Sequence, residues 1–78
     1  MAVEDTVKKV LNQVLDVKPE EIKPDEKLDD GLGVDSTEMV EISVGLKKAL
    51  GVDIADNELK KAHSFNEIVD ILKSKGAN

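Results

Sequence analysis

The sequence predicts an all-α bundle of four helices, three longer and one short, with a long loop between the first and second. Three observations predict it. Apolar residues recur at helical spacing in three separate stretches. Capping residues and glycines bound those stretches. Pro19 and Pro24 break the pattern between the first stretch and the second.

In the first stretch, Val3, Val7, Val10, Leu11, Val14 and Leu15 share one face, and Glu4, Lys8, Lys9, Asn12 and Gln13 share the other. A helix over Val3 to Leu15 follows, with Val17 closing the core where it stops. From Asp16 to Asp35, the clearly apolar residues before Val34 are Val17, Ile22, Leu28 and Leu32. They are spaced like anchors that hold a loop on a core. Glu20 to Ile22 can form one helical turn after Pro19. So long a connection is unusual in a small domain, and such loops often serve function.

The second helix is expected from Ser36 or Thr37 to Leu50, stopped by Gly51. Lys47 and Lys48 lie in its last turn, where the helix dipole favours cations. Steps of about 100° per residue separate two apolar stripes. Met39, Ile42, Leu46 and Leu50, with Ser43 among them, form the first. Thr37, Val40 and Val44 form the second. A helix surrounded by neighbours buries both; a helix with a free side offers the second as a docking ridge.

Val52 and Ile54 alternate with Asp53 over too short a run for a strand, and read as an anchored connection. Asp56 is expected to cap the short helix over Asn57 to Lys61, with Leu59 and Ala62 facing inward. Ser64 and Glu67 form a capping box. They start a last helix with Phe65, Ile68, Val69 and Leu72 on one face, Ile71 flanking and Gly76 ending it.

Seventy-eight residues make one small domain over 1–78 with a thin core. With 17 acidic against 11 basic residues the net charge is -6, which makes nucleic acid a poor partner and basic protein patches better ones. Phe65 is the only aromatic residue, so stacking on bases or sugars is not expected. No apolar run reaches membrane-spanning length. The first residues lack the basic start and apolar stretch of a signal peptide. A cytoplasmic monomer without stable membrane insertion is the expectation.

Catalytic and metal chemistry find little support. One histidine, His63, and no cysteine leave no transition-metal set, and His63 reads as a solvated surface residue. The acidic run Asp25, Glu26, Asp29, Asp30, Asp35, Glu38 does not fit a calcium loop. With Gly31 in the sixth position the third is Leu28, and with Gly33 in the sixth the first is Leu28. Neither GxxxxGK[ST] nor GxGxxG occurs. The chain is not expected to be an enzyme.

What remains is Ser36. It stands where the polar loop meets the most apolar helix, and it is expected to be the N-cap of that helix, on a corner reachable from solvent. Gly31 and Gly33 upstream allow unusual backbone angles, and Asp35 puts negative charge beside the positive helix end. From spacing alone, Ser36 need be no more than a cap.

Gly31-Leu32-Gly33-Val34-Asp35-Ser36 resembles the D-L-G-x-D-S-L signature of acyl carrier proteins. The resemblance covers nearly the whole chain. Val17-Lys18-Pro19-Glu20-Glu21-Ile22 is similar to the family's first loop, Thr37 to Ile42 to the start of its second helix, and Gly51-Val52-Asp53-Ile54 to its G-[IV]-x-I turn. The resemblance implies a bundle of acyl-carrier type and a 4′-phosphopantetheine arm on Ser36. A phosphopantetheinyl transferase would attach the arm with magnesium, which Asp35 helps to position. The arm's thiol would carry acyl groups as thioesters to enzymes of fatty-acid or related lipid and polyketide synthesis. Glu38 and Glu41 would meet basic docking patches on acyl-transferring and synthase partners, and Thr37, Val40 and Val44 would give the apolar part of that contact.

The chain departs from the family pattern at Thr37 in place of leucine, at Gly31 in place of an acid, at Lys47 and Lys48 in place of acids, at Ala55 in place of proline and at Ala62 in place of a large aliphatic residue. These departures point to a specialised carrier. An aminoacyl or peptidyl carrier and an unmodified acidic interaction module are the alternatives.

Overall fold

Val3, Val7, Val10 and Leu11 fall on one strip of a helix, and that strip is what packs. The computed structural model describes residues 2–55 and 57–77. In it, helix α1 spans Val3–Leu15, as its periodicity predicts, and buries these four residues together with Thr6. It stops at Asp16, whose φ of 57° is left-handed and whose N–H donates to the Asn12 carbonyl at 2.9 Å. The Asn12 side chain then donates to the Val17 carbonyl at 2.9 Å, turning the chain into the loop.

The loop carries a single 3₁₀ turn, Pro19–Glu21, where one helical turn is expected, and then a short helix α2, Leu28–Gly31. Ile22 and Leu28 are buried, and Val17 and Leu32 pack against the core. The expected anchors therefore hold. Main-chain bonds tie the same segment to the approach of the last helix. The Leu28 N–H donates to the His63 carbonyl at 3.1 Å, the Asp29 N–H to Lys61 at 3.0 Å and the Asn66 N–H to Pro24 at 3.1 Å. Lys27 and Ser64 form an antiparallel bridge.

The short helix is not where the sequence reading puts it. The expected cap, Asp56, lies outside the described residues. From Asn57 to Lys61 the chain makes turns rather than a helix. Two N–H groups in and beside it go to side chains: Ala55 to Glu58 Oε1 at 2.7 Å and Lys60 to His63 Nδ1 at 3.0 Å. Such local bonds compete with helical ones. The helix forms at Leu28–Gly31 instead, because a buried leucine and two main-chain bonds to residues 61 and 63 fix its start. Among the described residues the bundle still has three longer helices and one short one.

Helix α3, Ser36–Leu50, ends at Gly51 with φ 66°, an angle that favours glycine. It packs on α1. At Gly45 a Cβ would stand 3.0 Å from Val10 Cγ1, so the missing side chain lets the two helices approach closely. Helix α4, Phe65–Ser74, also packs on α1 and starts from the expected capping box. The Ser64 hydroxyl accepts from the Glu67 N–H at 3.2 Å, and Glu67 Oε1 accepts from the Ser64 N–H at 2.9 Å. Among the described residues no helix is long and apolar enough to cross a membrane.

Candidate functional site

The site is built at the start of α3. Its cap is Asp35, not Ser36. Asp35 Oδ1 accepts from the Glu38 N–H at 2.7 Å, and Glu38 Oε1 accepts from the Asp35 N–H at 3.1 Å. Aspartate caps as well as serine does, and from position 35 the third helical residue is Glu38, which closes the box. A cap at Ser36 would put Met39 there, which cannot reciprocate. The one-residue shift leaves Ser36 as the first helical residue, exposed, and no described group hydrogen-bonds its hydroxyl. The helix also gives the Ser36 and Thr37 N–H groups no partner of its own.

Behind the serine the corner is fixed from below. Val34 is buried and its N–H donates to the Leu28 carbonyl at 3.4 Å; the Leu32 N–H donates to the same carbonyl at 2.9 Å. Of the two expected glycines, only Gly33 uses a left-handed angle, φ 68°. Gly31 is helical, and the nearest atoms to a Cβ there would be those of the flexible Glu26 side chain, which can turn aside, so no strain ties this position to glycine.

The two stripes of α3 part as their spacing allows. Met39, Ile42 and Leu46 are buried, while Leu50 and Ser43 are half-buried. Thr37 is exposed, Val40 is 58% exposed and Val44 46%. Among the described residues these two valines are the large apolar side chains the core leaves out. Burying a valine is worth about 1.5–3 kcal/mol, so leaving both out forgoes stability. Glu41 is exposed and Glu38 half-buried on the same helix.

Beside Ser36 opens a groove of about 390 Å³ lined by Ser36, Met39, Val40, Leu59, Lys60, Lys61 and Ala62. Its far wall is the 57–63 turn. Leu59 points into the core as expected, but Ala62 is exposed on the groove, because the inward helix assumed for it does not form. His63 is half-buried, and its Nδ1 accepts the Lys60 N–H, so it shapes this wall rather than lying free in solvent. Glu58 holds the start of the wall. The Ala55 N–H and then Lys75 Nζ, at 2.7 Å, keep its carboxyl below the ordinary 4.5. Sequence reasoning missed Lys60 and Lys61, since both were assigned to a short helix. A lysine pair alone does not single them out, since Lys8 with Lys9 and Lys47 with Lys48 are pairs too.

The comparisons with known proteins agree with this architecture. Residues 5–72 match the family described as the phosphopantetheine attachment site. The chain is 32% identical over 75 residues to an acyl carrier protein of Nitratidesulfovibrio vulgaris, covering 96% of this chain and 99% of that one. It is 32% identical over 74 residues to the acyl carrier protein of Wolinella succinogenes, covering 95% and 97%. To the acyl carrier protein of Buchnera aphidicola it is 32% identical over 73 residues, covering 94% and 91%. Matched by the family over residues 5–72 and by these relatives along almost its whole length, the chain belongs to the phosphopantetheine attachment site family.

Proposed function

We propose that the chain is an acyl carrier and that Ser36 is the residue bearing its 4′-phosphopantetheine arm. The observation that carries this reading is the Ser36 hydroxyl: exposed, unbonded and held at the first helical position because Asp35 does the capping. The surroundings fit the group. A phosphodiester on Ser36 would sit by N–H groups the helix leaves open, at the positive end of its dipole. The groove next to it has apolar walls in Met39, Val40, Leu59 and Ala62. When bound, the group supplies a thiol that carries acyl units as thioesters.

The chain's own residues hold and present that arm. Asp35 has one carboxylate oxygen in the cap and offers the other to the phosphopantetheinyl transferase and its magnesium. Thr37, Val40 and Val44 form an apolar ridge flanked by Glu38 and Glu41, suited to basic patches on synthases and acyl-transferring enzymes. The chain works as one carrier domain over 1–78, as a cytoplasmic monomer without catalytic groups of its own.

Intact-mass analysis tests the reading. Incubation with coenzyme A and a broad-specificity phosphopantetheinyl transferase should add one phosphopantetheine increment to the wild type and none to Ser36→Ala. A wild type that stays at its starting mass overturns it.

A further inference from the structure

The groove has a charge that the rest of the site does not share. Asp35, Glu38 and Glu41 make the start of α3 acidic, yet the facing wall presents Lys60 and Lys61. Both are exposed, and among the described residues neither has a carboxylate within 4.0 Å, whereas Lys47, Lys73 and Lys75 each have one. Their backbone is held in place. The Lys60 N–H donates to His63 Nδ1 at 3.0 Å, the Lys61 carbonyl accepts from the Asp29 N–H at 3.0 Å, and buried Leu59 anchors the turn. Two adjacent lysines thus line one groove from a pinned turn, with Ser36 in the same lining.

We propose that Lys60 and Lys61 form an anion-holding rim that draws the Ser36-linked arm across the groove. This rests on the carrier reading above. The occupant follows from the attachment atom, since whatever is esterified to Ser36 begins inside this lining. Its negative charge is repelled by Asp35 and Glu38 and compensated by the lysines opposite. The apolar floor of Met39, Val40, Leu59 and Ala62 takes the uncharged part. The anion has two possible sources on the same arm, the phosphodiester next to Ser36 or a carboxylate at the end of the cargo. The rim serves either by the same chemistry.

The test loads the full chain with coenzyme A, octanoyl coenzyme A or the half-thioester of an eight-carbon dicarboxylic acid with coenzyme A. It follows intact mass, thermal midpoint at low and high salt, and the NMR shifts of Lys60 and Lys61. Wild type, Lys60→Gln/Lys61→Gln and Lys60→Arg/Lys61→Arg are compared, each loaded against its own unloaded form. In the wild type, loading should shift the two lysine resonances and change the midpoint. The glutamine pair should lower the loaded midpoint by about 3 °C relative to that change. The arginine pair should keep it, and high salt should reduce it in the wild type. An equal loss in all three loaded forms assigns the phosphodiester, and a loss confined to the dicarboxylic form assigns the cargo carboxylate; both support the rim. Normal loading with unmoved lysine resonances and no difference between wild type and the glutamine pair overturns the rim alone. No mass increment in any form overturns the carrier reading and the rim together.

Discussion

Ser36 and Ser64 both stand at the start of a helix, and they differ in one register step. Ser64 is the cap of α4: it is 5% exposed and bonded reciprocally with Glu67. At α3 the aspartate one residue earlier takes the cap with Glu38, and the serine moves into the first turn, its hydroxyl without a partner among the described residues. Serine at the cap position is engaged in folding. Serine one position later, behind a capping acid, is free for chemistry. The same residue type therefore serves structure at one helix and is released from it at the other.

Substitutions sharpen that contrast. Ser36→Ala should cause the largest effect, complete loss of arm attachment by intact mass, with thermal or denaturant stability within about 0.5 kcal/mol of wild type. Ser64→Ala should do the reverse: attachment continues, and denaturant unfolding reports a loss of about 1 kcal/mol for the missing cap. A Ser36→Ala protein that unfolds like Ser64→Ala would erase the distinction. Asp35→Asn tests the acid that frees the serine. Asparagine caps about as well as aspartate, so stability should fall by no more than about 0.5 kcal/mol, from lost dipole attraction. Attachment should slow in a timed mass assay if the carboxylate serves the transferase.

Acid gives a smaller and more local effect. The Glu67 carboxyl lies below its ordinary 4.5, chiefly because the Ser64 N–H donates to it and secondarily through the Ser64 hydroxyl. A carboxyl lowered in the folded state contributes stability above pH 4.5, and that contribution is lost as pH falls through the lowered value. Glu58 and Glu4 are lowered in the same direction, by main-chain N–H groups first and by Lys75 and Lys73 next. Glu67→Gln should therefore flatten the fall in thermal midpoint below pH 4.5 without abolishing it. An unchanged slope would mean that the α4 box adds nothing pH-dependent.

The three longer helices are legible in the sequence because each has a long periodic stripe, and their ends carry local chemistry: the left-handed Gly51, the Ser64–Glu67 box and the prolines beyond α1. The exposed second stripe of α3 was visible as a stripe, but periodicity does not say which neighbour is missing. Short elements were not legible. Four residues of α2 have too little local preference to form a helix alone. Leu28 and the bonds to residues 61 and 63 decide it, and those partners lie more than thirty residues away. The cap at Asp35 is legible too, since Glu38 three residues later is the capping-box signal, but Ser36 is an equally good capping residue type one position on. The groove wall was out of reach, because Ala62, His63 and the lysine pair gain their roles only when the 57–63 turn crosses beside Ser36.

The close crossing at Gly45 sets how near α3 stands to α1. With a Cβ position only 3.0 Å from Val10 Cγ1, α3 has no room to retreat further toward α1. A bulkier guest must therefore find its room on the opposite bank, where the backbone is tied to the loop and the exposed Lys60 and Lys61 side chains are what can rearrange. The bundle thereby divides its labour, with a fixed backing behind the Ser36 corner and adjustable side chains across from it.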